Sequence, residues 1–397
     1  MCDLVARVLG QGDALPDSGR RQFLQALGAT AAAGGLVAAG GRPAAAHSVR
    51  RRPAADKHRT RLVLLGTAGG PAWIDGARCG VSSAVVHRGR VHLVDLGAGS
   101  QQRLVQSGLG GENGLGSSLS AVRAVFLTHL HSDHVTDWPA LYATGPMNIV
   151  GRALPPIEVF GPGDRGTLPR VFPAGRPAPP VFNPDDPTPG ISAMTGYLRQ
   201  AFANDFNDRA RDSNFTGPDA LFSVHDIDLT GIWDIDPQGK PPRLRAPIPV
   251  WEDDDVRVTA TLVDHHPTAP AFAYRFDTPD GSVVFSGDTG VSDNLIDLAK
   301  DADYLVHEVI DPVFVDQLVA TLPAEIGEPL RQHLLAAHTT IEQVGRDVAE
   351  PAGARNLVLN HLVPSNNATR RWKAAQRGYS GRLIVGEDLL QLPVGRS

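Results

Sequence analysis

Thr128-His129-Leu130-His131-Ser132-Asp133-His134 sets three imidazoles and a carboxylate within six residues, directly after the apolar run Val122-Arg123-Ala124-Val125-Phe126-Leu127. The run predicts a buried strand, so the cluster sits where a strand ends and a loop opens. On an extended segment, side chains two apart point to the same face. His129 and His131 can therefore close on one ion, while Asp133 and His134, past the bend, can turn toward a second. Neutral imidazole with carboxylate suits zinc, or a neighbour such as manganese or iron. Of 14 histidines in the chain, three fall here, which sets the stretch apart from an ordinary polar loop.

Outward from this stretch, the 397 residues suffice for one large domain or two. A formal net charge of −6 argues against a nucleic-acid partner, whose footprint is usually basic. The front end reads as an address. Ser18-Gly19-Arg20-Arg21-Gln22-Phe23-Leu24 resembles a twin-arginine export signal; a weakly apolar Ala/Gly run over 26–40 and Ala44-Ala45-Ala46 follow it. Residues 1–46 are therefore expected to be a signal peptide, with a periplasmic or secreted mature chain. The run is short and poor in strongly apolar residues for a span, so no stable membrane anchor is expected after cleavage. Cys79 is then the single mature cysteine, read as a packed small residue.

Along 47–397, strands are predicted at 62–66, 83–87 and 91–95, then 122–127 before the histidine loop. Helices are expected at 101–106 and 137–144. Residues 151–190 hold eleven of the 32 prolines, too many for regular core elements. With a helix at 193–211 and loops with short strands over 213–250, about 150–250 reads as an insertion over the main domain. Strands return at 256–263, 272–276 and 283–285, and then alternate with helices: strands 304–309, 357–359 and 383–385; helices 295–300, 313–319, 341–349 and 367–376. A meander followed by alternation, twice over, predicts an α/β fold in which two mixed sheets pack face to face with helices outside, an αββα sandwich.

Four further sites fall at predicted strand ends: Asp264-His265-His266-Pro267, Ser286-Gly287-Asp288-Thr289-Gly290, His307-Glu308, and the pair His338-Thr339-Thr340 with Asn360-His361. Each alone is weak; together with the first cluster they are specific. With LLGTAGGPAW (64–73), AFAYRFDTPDGSVVFSGDTG (271–290) and LVLNHLVPS (357–365), the set resembles the metallo-β-lactamase-fold hydrolases. Within them it is most similar to the branch of the tRNA 3′-processing endonuclease (ribonuclease Z) and the arylsulfatase-like enzymes. The resemblance spans most of 62–390 except the insertion, and it fixes fold more firmly than substrate.

That resemblance implies a first metal on His129, His131 and His265, a second on Asp133, His134 and His361, and Asp288 bridging the two. The cofactor expected is thus a pair of divalent ions, zinc first, with manganese or iron as alternatives. Asp133, His338 and Glu308 are implied as the catalytic residues. His338 would protonate the leaving group or hold a non-bridging oxygen, with Glu308 orienting it. His265 rather than its neighbour His266 fits the pattern, and His225 and Asp226 of the insertion read as surface residues. No glycine/lysine-rich arm of the kind used to grip tRNA is seen. The expected function is an exported hydrolase of a phosphodiester or aryl sulfate, acting on a small-molecule ester; a homodimer stays open. A lactonase or β-lactamase of the same fold, and an inactive exported metal- or ligand-binding relative, are the alternatives.

Overall fold

The computed structural model describes residues 59–72, 76–111 and 116–395. The predicted signal at 1–46 lies outside the described residues, as do Trp73 and its two followers. The first sheet opens as a meander, β1 (Thr60–Gly66), β2 (Ser82–His87) and β3 (Arg90–Val94), paired antiparallel. Onto β3 the chain adds β4 (Val122–Phe126), β5 (Ile157–Pro162) and β6 (Phe222–Ile227), all parallel. The second sheet repeats the plan. Its β7 (Ile248–Asp253), β8 (Val256–Leu262), β9 (Phe272–Thr278) and β10 (Gly281–Phe285) are antiparallel. Parallel β11 (Tyr304–Ile310), β12 (Asn356–Val363) and β13 (Arg382–Val385) follow. The last strand, β14 (Gln391–Val394), returns to pair with β1, giving two seven-stranded sheets.

Period-two alternation sorts the apolar residues into layers. On β1, Leu62 and Leu64 enter the layer between the sheets, while Val63 and Leu65 face outward under helices. Val283 and Phe285 of β10 and Val358 of β12 join the inner layer; Val284, Leu357 and Leu359 belong to the outer one. Because both faces of the strands are covered, they read as near-continuous apolar runs. Phe126, Phe272, Tyr274 and Phe276 fill the middle and are fully buried, each such ring contributing about 1.5–3 kcal/mol by burial. The first sheet is flanked by α1 (Ser100–Ser107), α2 (Ser132–Val135), α3 (Trp138–Thr144), α4 (Ile191–Ala201) and α5 (Ala203–Ser213). After β10 come α6 (Asp293–Leu298), the pair α7 (Pro312–Val319) and α8 (Ala324–Ala337), and a helical run from Ile341 to Ala352. This is the αββα sandwich the strand order predicts.

Four differences have local causes. The stretch read as an insertion supplies β5, β6 and β7 to the sheets, so of it only 150–156, 163–221 and 228–247 lie outside them; prolines on both sides hide β5 from a pattern reading. The helix expected at 193–211 is two helices, broken at Phe202. No element is expected over 324–337, yet α8 runs fourteen residues with Pro329 inside it. Nor is β14 expected; its Pro393 is tolerated because the strand lies at a sheet edge. Among the described residues no helix is long and apolar enough to cross a membrane.

Candidate metal centre

One end of the sandwich collects the chemistry. There β4 runs out into Thr128 and the histidine loop, β8 into His265, β10 into Asp288, and β11 and β12 carry Glu308 and His361. The chain holds these groups by bending its strands. Pairing of β11 with β12 shifts after Glu308–Asn360 so that His361 is the extra residue, and His361 takes a left-handed φ of 42°. Asp95, just past β3, does the same at φ 58°. Left-handed geometry costs a residue with a side chain about 1–3 kcal/mol and collects at working sites. A side chain at Gly69 would lie 2.3 Å from His361 Nδ1, so glycine there is what lets the imidazole settle against the loop after β1.

Two knots of donors face one carboxylate. His129, His131 and His265 form the first, with His265 Nε2 3.2 Å from His131 Nδ1. Asp133, His134, Asp288 and His361 form the second. Asp288 Oδ1 is 3.3 Å from His134 Nε2, and its Oδ2 is 3.3 Å from His361 Nε2 and 3.9 Å from both His129 Nε2 and His265 Nε2. Surrounding groups fix the rings. His265 Nδ1 donates to the Ala337 carbonyl at 2.8 Å, His134 Nδ1 to Asp95 at 2.9 Å, and Asp95 in turn accepts from the backbone and hydroxyl of Thr128. Gly70 N donates to Asp133 at 3.0 Å.

These residues fit a divalent pair on their own chemistry. His129 Nε2, His134 Nε2 and Asp288 Oδ1 are buried without a hydrogen-bond partner, which is costly unless another ligand satisfies them. Burial first, then the neighbouring imidazoles, holds His129 well below the usual histidine range, and His265 likewise; both are neutral, as a ligand must be. Burial opposes charge on His134 too, but Asp288, Asp95 and Asp133 outweigh it and hold it well above that range. Asp288 is pushed well below the carboxylate range by His361, His134 and His129, against its own burial.

Beside the pair stands His338. Its Nδ1 donates to Glu308 Oε1 at 3.0 Å and lies 3.9 Å from Asp288 Oδ2. Glu308 is anchored as well by the amides of Thr289 and Thr339, at 3.0 and 3.2 Å. Burial alone would lower His338, but the charge and hydrogen bond of Glu308 push it up to about 9. It is a proton donor at neutral pH. His338 could also join His265 and Asp288 in a third donor triplet, but its Nδ1 is already committed to Glu308.

All nine residues singled out from sequence, His129, His131, Asp133, His134, His265, Asp288, Glu308, His338 and His361, meet at this end. His266 turns away and pairs with Asp264 at 2.7 Å, and His225 pairs with Glu158 on an exposed strand face. Sequence reasoning missed Asp95, which carries no signal beyond being a lone carboxylate after a strand. It also missed Gly69, whose role shows only in the approach of His361, and the end of α8, whose carbonyl orients His265.

The model of the Metallo-beta-lactamase superfamily matches residues 76–327. The chain belongs to that superfamily. Ribonuclease Z of Mycobacterium avium is 30% identical over 344 residues, covering 84% of this chain and 98% of the relative. Ribonuclease Z of Mycobacterium tuberculosis is 28% identical over 338 residues, with 84% and 97% covered. Among solved structures, the short form of human tRNase Z is 17% identical with a TM-score of 0.51, covering 85% of this chain and 100% of that one; it supports the fold. This superfamily member is a ribonuclease Z-like hydrolase, of a fold whose members bind divalent metals. None of these three relatives is named for sulfate esters.

One expectation is overturned. Net charge and the missing arm argue against a nucleic-acid partner and for a small-molecule ester, yet relatives matching 84% of the chain are ribonucleases by name. The reason is physical. A charge of −6 sums the whole chain, whereas a bound phosphate would meet only the local field, here a cluster of histidines that could hold metal ions.

Proposed function

We propose that this protein hydrolyses a phosphodiester bond of a nucleic acid, with two divalent ions held by His129, His131, His265, Asp133, His134 and His361 and shared through Asp288. The observation that carries the reading is the His338–Glu308 pair, an imidazole held by a buried carboxylate and 3.9 Å from the shared Asp288. A nucleotide alkoxide is a poor leaving group and needs a proton; the carbonyl chemistry of a lactonase or β-lactamase depends more on stabilising an oxyanion.

Divalent ions, when bound, lower the pKa of an attacking water and neutralise charge on the phosphate. The side chains do the rest. Asp133, held ionised mainly by His134 and His361 against its burial, accepts a hydrogen bond from the attacking water and orients it. Glu308 keeps Nδ1 of His338 occupied, which directs the other ring nitrogen toward the departing oxygen, and Nε2 delivers the proton there. His134 and His265 keep their orientation through Asp95 and the Ala337 carbonyl. Export remains part of the proposal, supported by the sequence of residues 18–46, and an N-terminal fusion to a reporter that works only after transport tests it.

The test is a side-by-side assay of metal-loaded protein on an RNA oligonucleotide, bis-p-nitrophenyl phosphate, p-nitrophenyl sulfate, a homoserine lactone and nitrocefin. Cleavage of the two phosphodiesters above the rest is expected. Preference for the sulfate, the lactone or nitrocefin refutes the reading, and no turnover of any of them with full metal content identifies a binding protein instead.

A further inference from the structure

Glu308 and Asn360 stand side by side in the parallel register of β11 and β12, just before the bulge at His361, and both are buried. Glu308 Oε1 is fully used: it accepts from His338 Nδ1 and from the amides of Thr289 and Thr339. Its Oε2 has no hydrogen-bond partner. Asn360 is divided in the same way. Its Nδ2 reaches across to the other sheet and donates to Ser83 Oγ on β2 at 3.2 Å, while its Oδ1 has no partner. Both lone atoms are acceptors, so they cannot bond to each other, and burying an acceptor without a donor is costly. Between the sheets at this point lies a cavity of about 30 Å³. Ser83, Glu308 and Asn360 line it together with the apolar Phe285 and Val306, and it borders the centre at Asp288 and His361.

A buried water needs about 10–15 Å³ of such space and about two to four polar partners, and this cavity offers both. One water has two protons for the two acceptors. Ser83 Oγ, which accepts from Asn360, still has its own proton to give. We infer that the cavity binds a water that donates to Glu308 Oε2 and Asn360 Oδ1 and accepts from Ser83 Oγ, and that Asn360 is, through this water, a positioning residue for the Glu308–His338 pair. The carboxylate is then held at both oxygens, by three N–H groups on one and the water on the other, and cannot swing about its last bond. His338, which hangs on Oε1, keeps its ring aimed at the departing oxygen. That last step rests on the phosphodiesterase reading of the centre; the water site does not.

Crystals of the metal-loaded protein, diffracting well enough to show ordered waters, test the site itself. Density within hydrogen-bond reach of Glu308 Oε2, Asn360 Oδ1 and Ser83 Oγ is expected. A dry cavity, or an Asn360 amide turned over so that its nitrogen meets Glu308 directly, overturns the inference. The positioning role is read from Asn360→Leu, which keeps the side chain's size and loses its polar atoms. This variant should keep full metal content and lose about 10- to 100-fold in kcat on an alkoxide diester, with KM little changed. In a protein that already carries His338→Ala the same substitution should cost nothing more, because its effect passes through His338. Loss of metal, an unchanged rate, or a full further loss in the His338→Ala background overturns the role. Ser83→Ala, on the sheet opposite His361, removes the water's donor and carries the test if Asn360→Leu does not fold. It should show a smaller loss with the same dependence on His338, and a loss that persists in full without His338 overturns the role. If no phosphodiester is cleaved, the phosphodiesterase reading fails by itself, and the crystals still decide the water.

Discussion

Buried histidines occur in two regions of this sandwich, and only one of them is equipped for chemistry. Toward the end away from the centre, His87 sits at the close of β2 and His92 within β3, both almost fully buried. His87 bonds Thr60 Oγ1 through Nδ1 at 2.7 Å, with Asp280 on that side at 3.8 Å and Asp255 on the other at 3.6 Å. Its Nδ1 ties β2 to β1, while its Nε2, like that of His92, has no hydrogen-bond partner, and among the described residues neither histidine joins a group of donors that could hold an ion. His92 donates to the Val85 carbonyl and packs on Trp251 and Phe276. At the other end, by contrast, the unpartnered Nε2 atoms of His129 and His134 converge with the Nε2 atoms of His265 and His361 on Asp288. Burial of a histidine is common to both regions; convergence of unsatisfied donors marks the metal centre.

The contrast is broken most severely at Asp288. Asp288→Ala removes the carboxylate common to both donor knots and should lower turnover by at least ~1,000-fold, together with metal content. A variant that keeps both ions and turnover would show that the knots do not depend on that bridge. Next comes His338→Ala, expected to retain metal yet lose ~100- to 10,000-fold on an alkoxide leaving group. The loss should be smaller on a nitrophenolate, which departs without a proton. Equal losses on both would mean that His338 stabilises charge on the phosphate and does not act as an acid.

A smaller effect is expected one shell further out. Asp95→Asn leaves His134 in place but weakens the bond that orients it, so metal affinity should fall about 10- to 100-fold, read by competition with a chelator. Unchanged affinity would move Asp95 into the class of His87, a bridge without a part in the centre.

The smallest effect on activity belongs to His92. Burial holds its folded pKa at about 4, against 6.5 for an ordinary histidine. As pH falls through 6.5 the unfolded chain takes up a proton that the fold refuses, so stability is lost between about 6.5 and 4 and levels off below. The loss amounts to about 3 kcal/mol at most. His92→Phe should flatten that slope in urea melts while neutral-pH turnover stays near wild type; an unchanged slope would clear His92 of this role.

The sandwich and its nine converging residues were legible because the first cluster is dense and each later ligand sits where an apolar run stops. What stayed hidden has physical causes. Pro329 and Gly327 argue against a helix at 324–337, and packing against α7, which Gly327 approaches at Val319, overrides them. Prolines around Ile157–Pro162 mask a strand that parallel partners on both sides make secure. Asp95 and Gly69 act through tertiary approach, which spacing along the chain does not record. Net charge pointed away from the nucleic-acid partner that the ribonuclease relatives suggest because a whole-chain sum stood in for a local field.

Metal stoichiometry tests the central claim most directly. Protein reconstituted with zinc, freed of loosely held ions and measured by elemental analysis, should carry close to two ions per chain, and His265→Ala should lower that number while His266→Ala does not. One ion or none in the reconstituted protein, or loss of metal on changing His266 and not His265, would contradict the paired centre described here.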